Sequence, residues 1–151
     1  MRNIEKKYYS NGRLWQEIPL QNNQIHGVLK IYYKSGRLWQ ETPYEKGQKN
    51  GVEKIYFLSG VLKKEKAYKN GIRDGFKRTY YESGSLAQEC EYKNGIDIGK
   101  RCWYYEEGGL EKEFIITPDQ NDVLTGVENS YDPDGILISA LLFKNGKLIK
   151  K

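Results

Sequence analysis

A glycine following an aromatic pair recurs at Gly12, Gly36, Gly60, Gly84 and Gly108, each 24 residues after the last. A sixth copy closes at Gly135 after a step of 27. A second glycine keeps the same beat at Gly27, Gly51, Gly75, Gly99 and Gly126. Self-similarity at a short fixed period restricts a chain to architectures in which each unit buries its face against the next. Residues 1–151 therefore read as one repeat domain rather than a globular core. Composition agrees: hydrophobic residues are 38% and the mean hydropathy is −0.81, low for two packed layers. Disorder is excluded by the aromatic content, because 13 Tyr accompany three Trp and four Phe and disordered chains are poor in such residues. Tyrosine suits half-buried positions, ring packed and hydroxyl wet.

Within each copy the pattern is strand, turn, strand. Residues 4–10 and 13–20 flank Asn11-Gly12, and later copies carry Ser35-Gly36, Ser59-Gly60, Ser83-Gly84, Glu107-Gly108 and Asp134-Gly135. Asn-Gly between β-rich runs signals a two-residue type I′ hairpin. In that register Lys34 faces Arg37, Tyr33 faces Leu38, Tyr32 faces Trp39, Ile31 faces Gln40 and Lys30 faces Glu41. The same count sets Lys54 against Glu65 and Arg78 against Glu89, and three opposite-charge pairs at equivalent places favour it over a one-residue slip. A three-residue loop with a bulge is the competing geometry. The remaining connections, such as Lys69-Asn70-Gly71 and Lys93-Asn94-Gly95, are again Gly/Asn turns. All links are short, so consecutive strands are expected to be antiparallel neighbours. The fold class is thus all-β: an elongated antiparallel meander of β-hairpins, with about 12 strands at about 4.8 Å each. Thr117, Pro118 and the residues to Asp122 carry three extra positions, and the last copy has Asp132 for its second aromatic and Ala140 for its glutamate. Terminal repeats deviate because they cap the stack.

Charge and chemistry narrow the function. Lys and Arg number 25 against 20 acidic residues, giving +5. Much of the excess lies at Arg2, Lys6, Lys7, Lys144, Lys147, Lys150 and Lys151. Without a basic helix or a clustered Arg face, nucleic acid is not the expected partner. Cys90 and Cys102 lack metal-ligand spacing and occupy different repeat positions, so free thiols and a reducing compartment are expected. There is no apolar run of about 20 residues and no signal-type apolar stretch, so a cytoplasmic location is expected. The only histidine, His26, stands in a turn with no nucleophile motif beside it and no second histidine for a metal. No phosphate-binding glycine motif is present. The expectation is no enzyme, no cofactor and no metal.

Tyr8, Tyr32, Tyr56, Tyr80, Tyr104 and Tyr131 occupy one repeat position, and Leu14, Leu38, Leu62, Leu86, Leu110 and Leu137 another. Both rows read as a hydrophobic spine. Glu17, Glu41, Glu65, Glu89 and Glu113 read as a salt-bridge or hydrogen-bond ladder. Trp15 and Trp39 break the repetition, since later copies have Lys63, Ala87, Glu111 and Ile138 there. A position that the scaffold leaves variable is free for recognition, and tryptophan is enriched at binding hot spots. Trp15 and Trp39, with Tyr8 and Tyr32 opposite them, are therefore the candidate partner-binding residues; packing against a flanking strand, or against a second copy of the protein, is the competing reading. Trp103 reads as core, and the insertion around Asp119 as a second place where function departs from the repeat.

Written out, the copies from Tyr80 to Gly99 and from Phe57 to Gly75 follow Tyr-Tyr-x-x-Gly-x-Leu-x-x-Glu-x-x-Tyr-x-x-Gly-x-x-x-Gly, with Phe57 for the second Tyr. This resembles the MORN-repeat-variant family. The resemblance implies single-layer antiparallel sheets of hairpins. It also implies, for bacterial members described as YwqK-type antitoxins, a cytoplasmic immunity protein that neutralises a toxin by binding it. A protein partner, an acidic one to suit the +5 charge, is the expectation. Membrane-surface association and a structural scaffold are the alternatives that the resemblance implies.

Overall fold

The computed structural model describes residues 2–118, 124–145 and 147–150. Among them there is no helix, and the strands form one antiparallel sheet. The first copy contributes β1 (Arg2–Tyr8) and β2 (Leu14–Gln21), and the second β3 (Gln24–Ile25), β4 (Gly27–Tyr32) and β5 (Leu38–Glu45). The third contributes β6 (Gln48–Lys49), β7 (Gly51–Tyr56) and β8 (Leu62–Lys69), the fourth β9 (Ile72–Tyr80) and β10 (Leu86–Lys93). The fifth contributes β11 (Ile96–Tyr104) and β12 (Leu110–Pro118), the sixth β13 (Leu124–Tyr131) and β14 (Leu137–Lys144), and β15 (Lys147–Lys150) closes the chain. Strands pair in sequence order, β3 and β4 both on β2, β6 and β7 both on β5. The expected 12 hairpin strands are therefore present, plus the terminal strand and two short pieces split off at His26 and Asn50.

The hairpin turns after each aromatic pair are not type I′. Gly36 N–H donates to Tyr33 O (2.9 Å) and Tyr33 N–H to Arg37 O (2.8 Å), and Gly36 alone takes positive φ, +93°. This is the three-residue loop in which a type I turn ends on a left-handed glycine. It repeats at Gly12, Gly60, Gly84, Gly108 and Gly135. The register is corrected accordingly: Tyr32 pairs with Leu38, not Trp39, while Ile31–Gln40 and Lys30–Glu41 stand as expected. One residue of each second strand is skipped, a β-bulge, and the skipped residue is Trp15, Trp39, Lys63, Ala87, Glu111 or Ile138. The type I′ geometry belongs to the opposite ends of the strands, where Asn70 (+50°) and Gly71 (+82°), then Asn94 (+50°) and Gly95 (+83°), bridge two-residue turns.

A second irregularity follows from glycine. Between Glu65–Arg78 and Tyr68–Arg73 the β9 side holds two more residues than the β8 side, and Gly75 within it has φ +104°. The same offset recurs at the other early junctions, but β12 and β13 pair without interruption from Lys112–Ser130 to Pro118–Leu124. That junction is three residues longer in sequence than the earlier ones, and its described pairs carry no bulge. Gly126, no longer in a positive φ, instead lies buried beneath the Phe114 ring, which meets Phe143 edge-on at 6.0 Å.

With one layer there is little interior. Among the described residues the buried apolar side chains are Ile18, Leu29, Cys90 and Cys102, joined by the polar Thr42, Glu53 and Glu113. Trp103, expected in a core, is only half-buried. With no second layer, the backbone ladder, half-buried packing within the sheet and side-chain bonds between neighbouring strands hold the fold.

Candidate functional site

The aromatic pair joins each copy to the next. The first tyrosine of a copy donates its hydroxyl to the glutamate of the copy before: Tyr32 to Glu17 and Tyr56 to Glu41 at 2.7 Å, Tyr80 to Glu65, Tyr104 to Glu89 and Tyr131 to Glu113 at 2.8 Å. The second tyrosine donates forward to a backbone carbonyl: Tyr9 to Tyr32 O, Tyr33 to Tyr56 O, Tyr81 to Tyr104 O and Tyr105 to Tyr131 O, at 2.6–2.8 Å. Phe57 lacks the hydroxyl. Asp132 carries a carboxylate in that place, and its Oδ1 accepts from Asp134 N and Ile136 N. The tyrosine row is thus a hydrogen-bonded spine as well as a packed one. Burial and the glutamate bond together push Tyr32 and Tyr80 up to about 12, so both remain neutral donors.

Directly paired antiparallel residues share a face, and neighbours along a strand alternate. Glu41, Lys54, Glu65, Arg78, Glu89, Cys102 and Glu113 form one continuous row. Of the three expected basic–glutamate contacts, Arg78 Nε–Glu89 Oε2 is an ion pair at 3.2 Å. A shallow groove of about 420 Å³ opens on this face beside Phe76, Arg78, Glu91 and Lys100. Arg78, Glu89, Glu91 and Lys100 mix charges along it, and the free, buried Cys90 and Cys102 also line it.

The opposite face is different. Glu53 pairs with Lys66, Lys66 with Lys77, and Lys77 with Cys90. Lys49 Nζ (2.5 Å) and Lys66 Nζ (2.9 Å) clamp the buried Glu53 carboxylate. Burial raises its pKa, but the two lysines outweigh this and hold it below the usual carboxylate range. Lys64 and Arg73 lie on the same face, opposite Thr79 and Tyr68. Strands β6 to β9 therefore bring Lys49, Lys64, Lys66, Arg73 and Lys77 to one face, where Lys49 and Lys66 hold Glu53. Like charges directly opposite, as at Lys66 and Lys77, are destabilising. Lys64 titrates below an ordinary lysine because of burial and the nearby Lys66, Lys77, Lys63 and Arg73. Sequence reasoning followed the glutamate row and missed this one; its signal was the alternation Lys64-Glu65-Lys66, which sends both lysines to the face away from Glu65.

The residues expected to bind a partner divide. Trp15 (40% exposed) and Trp39 (38%) are accessible bulge residues. Their ring partners are Tyr9 (6.2 Å) and Tyr33 (6.3 Å), not Tyr8 and Tyr32. Tyr32 belongs to the spine, whereas Tyr8 is 58% exposed. The register error caused the misplacement, since the bulge shifts the facing residue by one. His26 serves its turn: its N–H donates to Pro19 O (2.9 Å) and its Nδ1 accepts from Lys46 N (3.4 Å). Among the described residues no group of His, Cys, Asp and Glu is arranged to hold a metal. Cys90 and Cys102 are free and buried; burial, aided by Asp97, raises the Cys90 thiol and keeps it protonated and unreactive. The insertion around Asp119 lies outside the described residues.

A single sheet of hairpins bonded copy to copy by tyrosine hydroxyls defines a β-hairpin repeat protein. The model of the MORN repeat variant matches residues 3–22, 25–46, 49–70, 73–94 and 124–145, most of the chain, and the protein belongs to that family. Such repeats are generally protein- or membrane-binding modules. The fifth copy, β11 with β12, falls outside the matched residues, next to the junction that loses its bulge. No curated protein matches the chain.

Proposed function

We propose that this is a non-enzymatic protein-binding module of the antitoxin or immunity type, acting in the cytoplasm by covering the surface of a partner toxin. The observation that carries the protein-binding reading is the placement of Trp15 and Trp39. Both are skipped by the strand register and stand exposed, at a position filled elsewhere by Lys63, Ala87 or Glu111. The scaffold does not need an aromatic there, and a large rigid ring in such a place suits a hot spot. The antitoxin reading rests on likeness of family alone.

The test is the Trp15→Ala/Trp39→Ala double variant. Partner capture from the native cell should fall on the order of tenfold or more, while the melting temperature changes little. A double variant that no longer folds makes the patch structural. Toxicity of a neighbouring reading frame, relieved by co-expression of this chain, is the outcome expected of an antitoxin.

A membrane-surface reading is favoured by one feature. Ile136, Leu137 and Ile138 are consecutive and 63, 52 and 64% exposed at the last hairpin. Sedimentation with liposomes, with and without anionic lipid, at low salt decides it; absence of binding disposes of that reading.

A further inference from the structure

We infer that the face carrying Lys49, Lys64, Lys66, Arg73 and Lys77 is the docking surface for an acidic segment of a protein partner. The inference rests on the protein-binding reading and gives that partner a chemistry. On this face the carboxylate among the five cations, Glu53, is held by Lys49 and Lys66, and the next one along the sheet, Asp97 opposite Tyr92, is held by Arg101. Neither Lys64 nor Lys77 has a carboxylate within ion-pair distance among the described residues. The other face, where acids and bases alternate across the strands, shows that the fold can balance its charges. Here it sets Lys66 directly against Lys77, at a cost in stability that an acidic partner would reverse on binding.

The surroundings favour polypeptide carboxylates over other anions. Nucleic acid without base pairing is held by bare aromatic platforms as well as cations. The Tyr68 and Tyr92 rings already carry the chain's own Lys49 (4.8 Å) and Arg73 (5.1 Å). They act as posts that position the cations. A membrane surface calls for apolar side chains beside the basic ones. Between residues 49 and 79 the exposed large apolar residues are Leu58, in a turn, and Ile72, at a strand end. A second copy of the chain would bring the same excess of lysines and repel.

The experiment uses the full chain and labelled poly-L-glutamate, with single-stranded DNA and equimolar phosphatidylcholine–phosphatidylserine vesicles as competitors. Lys64→Glu/Lys77→Glu should weaken polyglutamate binding on the order of tenfold more than Lys34→Glu/Lys46→Glu, which makes the same charge change in turns. Added salt should weaken the parent's binding. The patch variant should melt no lower than the parent, because it puts a carboxylate opposite Lys66; should it fail to fold, Lys64→Gln/Lys77→Gln replaces it. Equal losses in the two variants, or displacement by DNA or vesicles at lower charge concentration than by unlabelled polyglutamate, overturn the inference. The two readings fail separately. A captured partner whose affinity ignores both the charge reversal and salt leaves protein binding intact and removes the patch. If no partner is captured by the parent chain, protein binding itself falls, whatever polyglutamate does.

Discussion

Gly75→Ala should destabilise the protein on the order of 3 kcal/mol, read as a fall in the urea midpoint. Two costs combine. Gly75 has φ +104°, well outside the region that a side chain tolerates, and an added Cβ would stand 3.0 Å from the Ala67 Cβ across the sheet. Backbone strain of this kind costs about 1–3 kcal/mol and overpacking a similar amount. Gly71→Ala is the comparison. Its φ of +82° is also left-handed, but the nearest atom is Gln48 Cβ at 3.9 Å, so only the conformational cost of about 1–2 kcal/mol applies. Ala67→Gly in the Gly75→Ala background should restore the steric part and not the rest. Equal losses at Gly75 and Gly71 would mean that the bulge is not held by this close contact.

Glu113→Ala should cost about 2–4 kcal/mol and release the C-terminal hairpin first. The buried carboxylate accepts from Asn129 Nδ2 (2.9 Å) and Tyr131 Oη (2.8 Å) and pairs with Lys100. Its removal strands three donors at the junction between β12 and β13. Repeat proteins are held together by such nearest-neighbour interfaces, so the variant should unfold in two steps where the parent unfolds in one. The same site sets an acid limit. Hydrogen bonds from Asn129, Lys100 and Tyr131 hold the Glu113 pKa at about 2, against the opposing effect of burial. An unfolded glutamate titrates at about 4.3. The folded pKa is the lower one, so the contribution is complete above about pH 4.3 and disappears as pH falls through about 2. Glu113→Gln should flatten the stability profile in that interval. An unchanged profile would mean that another carboxylate carries the acid limit.

Much of the scaffold was legible because its chemistry is local and repeated. The glycine beat placed the hairpins, and the pairing of Lys54 with Glu65 and of Arg78 with Glu89 fixed the middle of each register, as the strands bear out. The turn type was not legible from Asn11-Gly12 or Ser35-Gly36. Asparagine–glycine does build type I′ turns here, at Asn70-Gly71 and Asn94-Gly95. The hairpins that follow the aromatic pairs take a longer loop, from which Tyr33 and the tyrosines equivalent to it reach across to the next copy, and no pattern within one copy reveals that bond. The skipped residue moved the partners of Trp15 and Trp39 by one, from Tyr8 and Tyr32 to Tyr9 and Tyr33. The lysine face was hidden for a different reason. Lys49, Lys66 and Lys77 come from three strands and different repeat positions, so only the register brings them together.

On the proposed reading, positions that repeat hold the sheet and positions that differ do the binding. One paired measurement tests this most directly: melting temperature and affinity for the captured partner, compared between Trp15→Ala/Trp39→Ala and Tyr56→Phe. Tyr56 donates to Glu41 and sits in the spine, so its loss should lower stability by about 1 kcal/mol and leave affinity unchanged. The tryptophan pair should do the opposite, losing affinity at an unchanged melting temperature. The contrary result is Tyr56→Phe abolishing capture at full stability while the tryptophan variant binds as the parent does; recognition would then lie in the repeated spine itself.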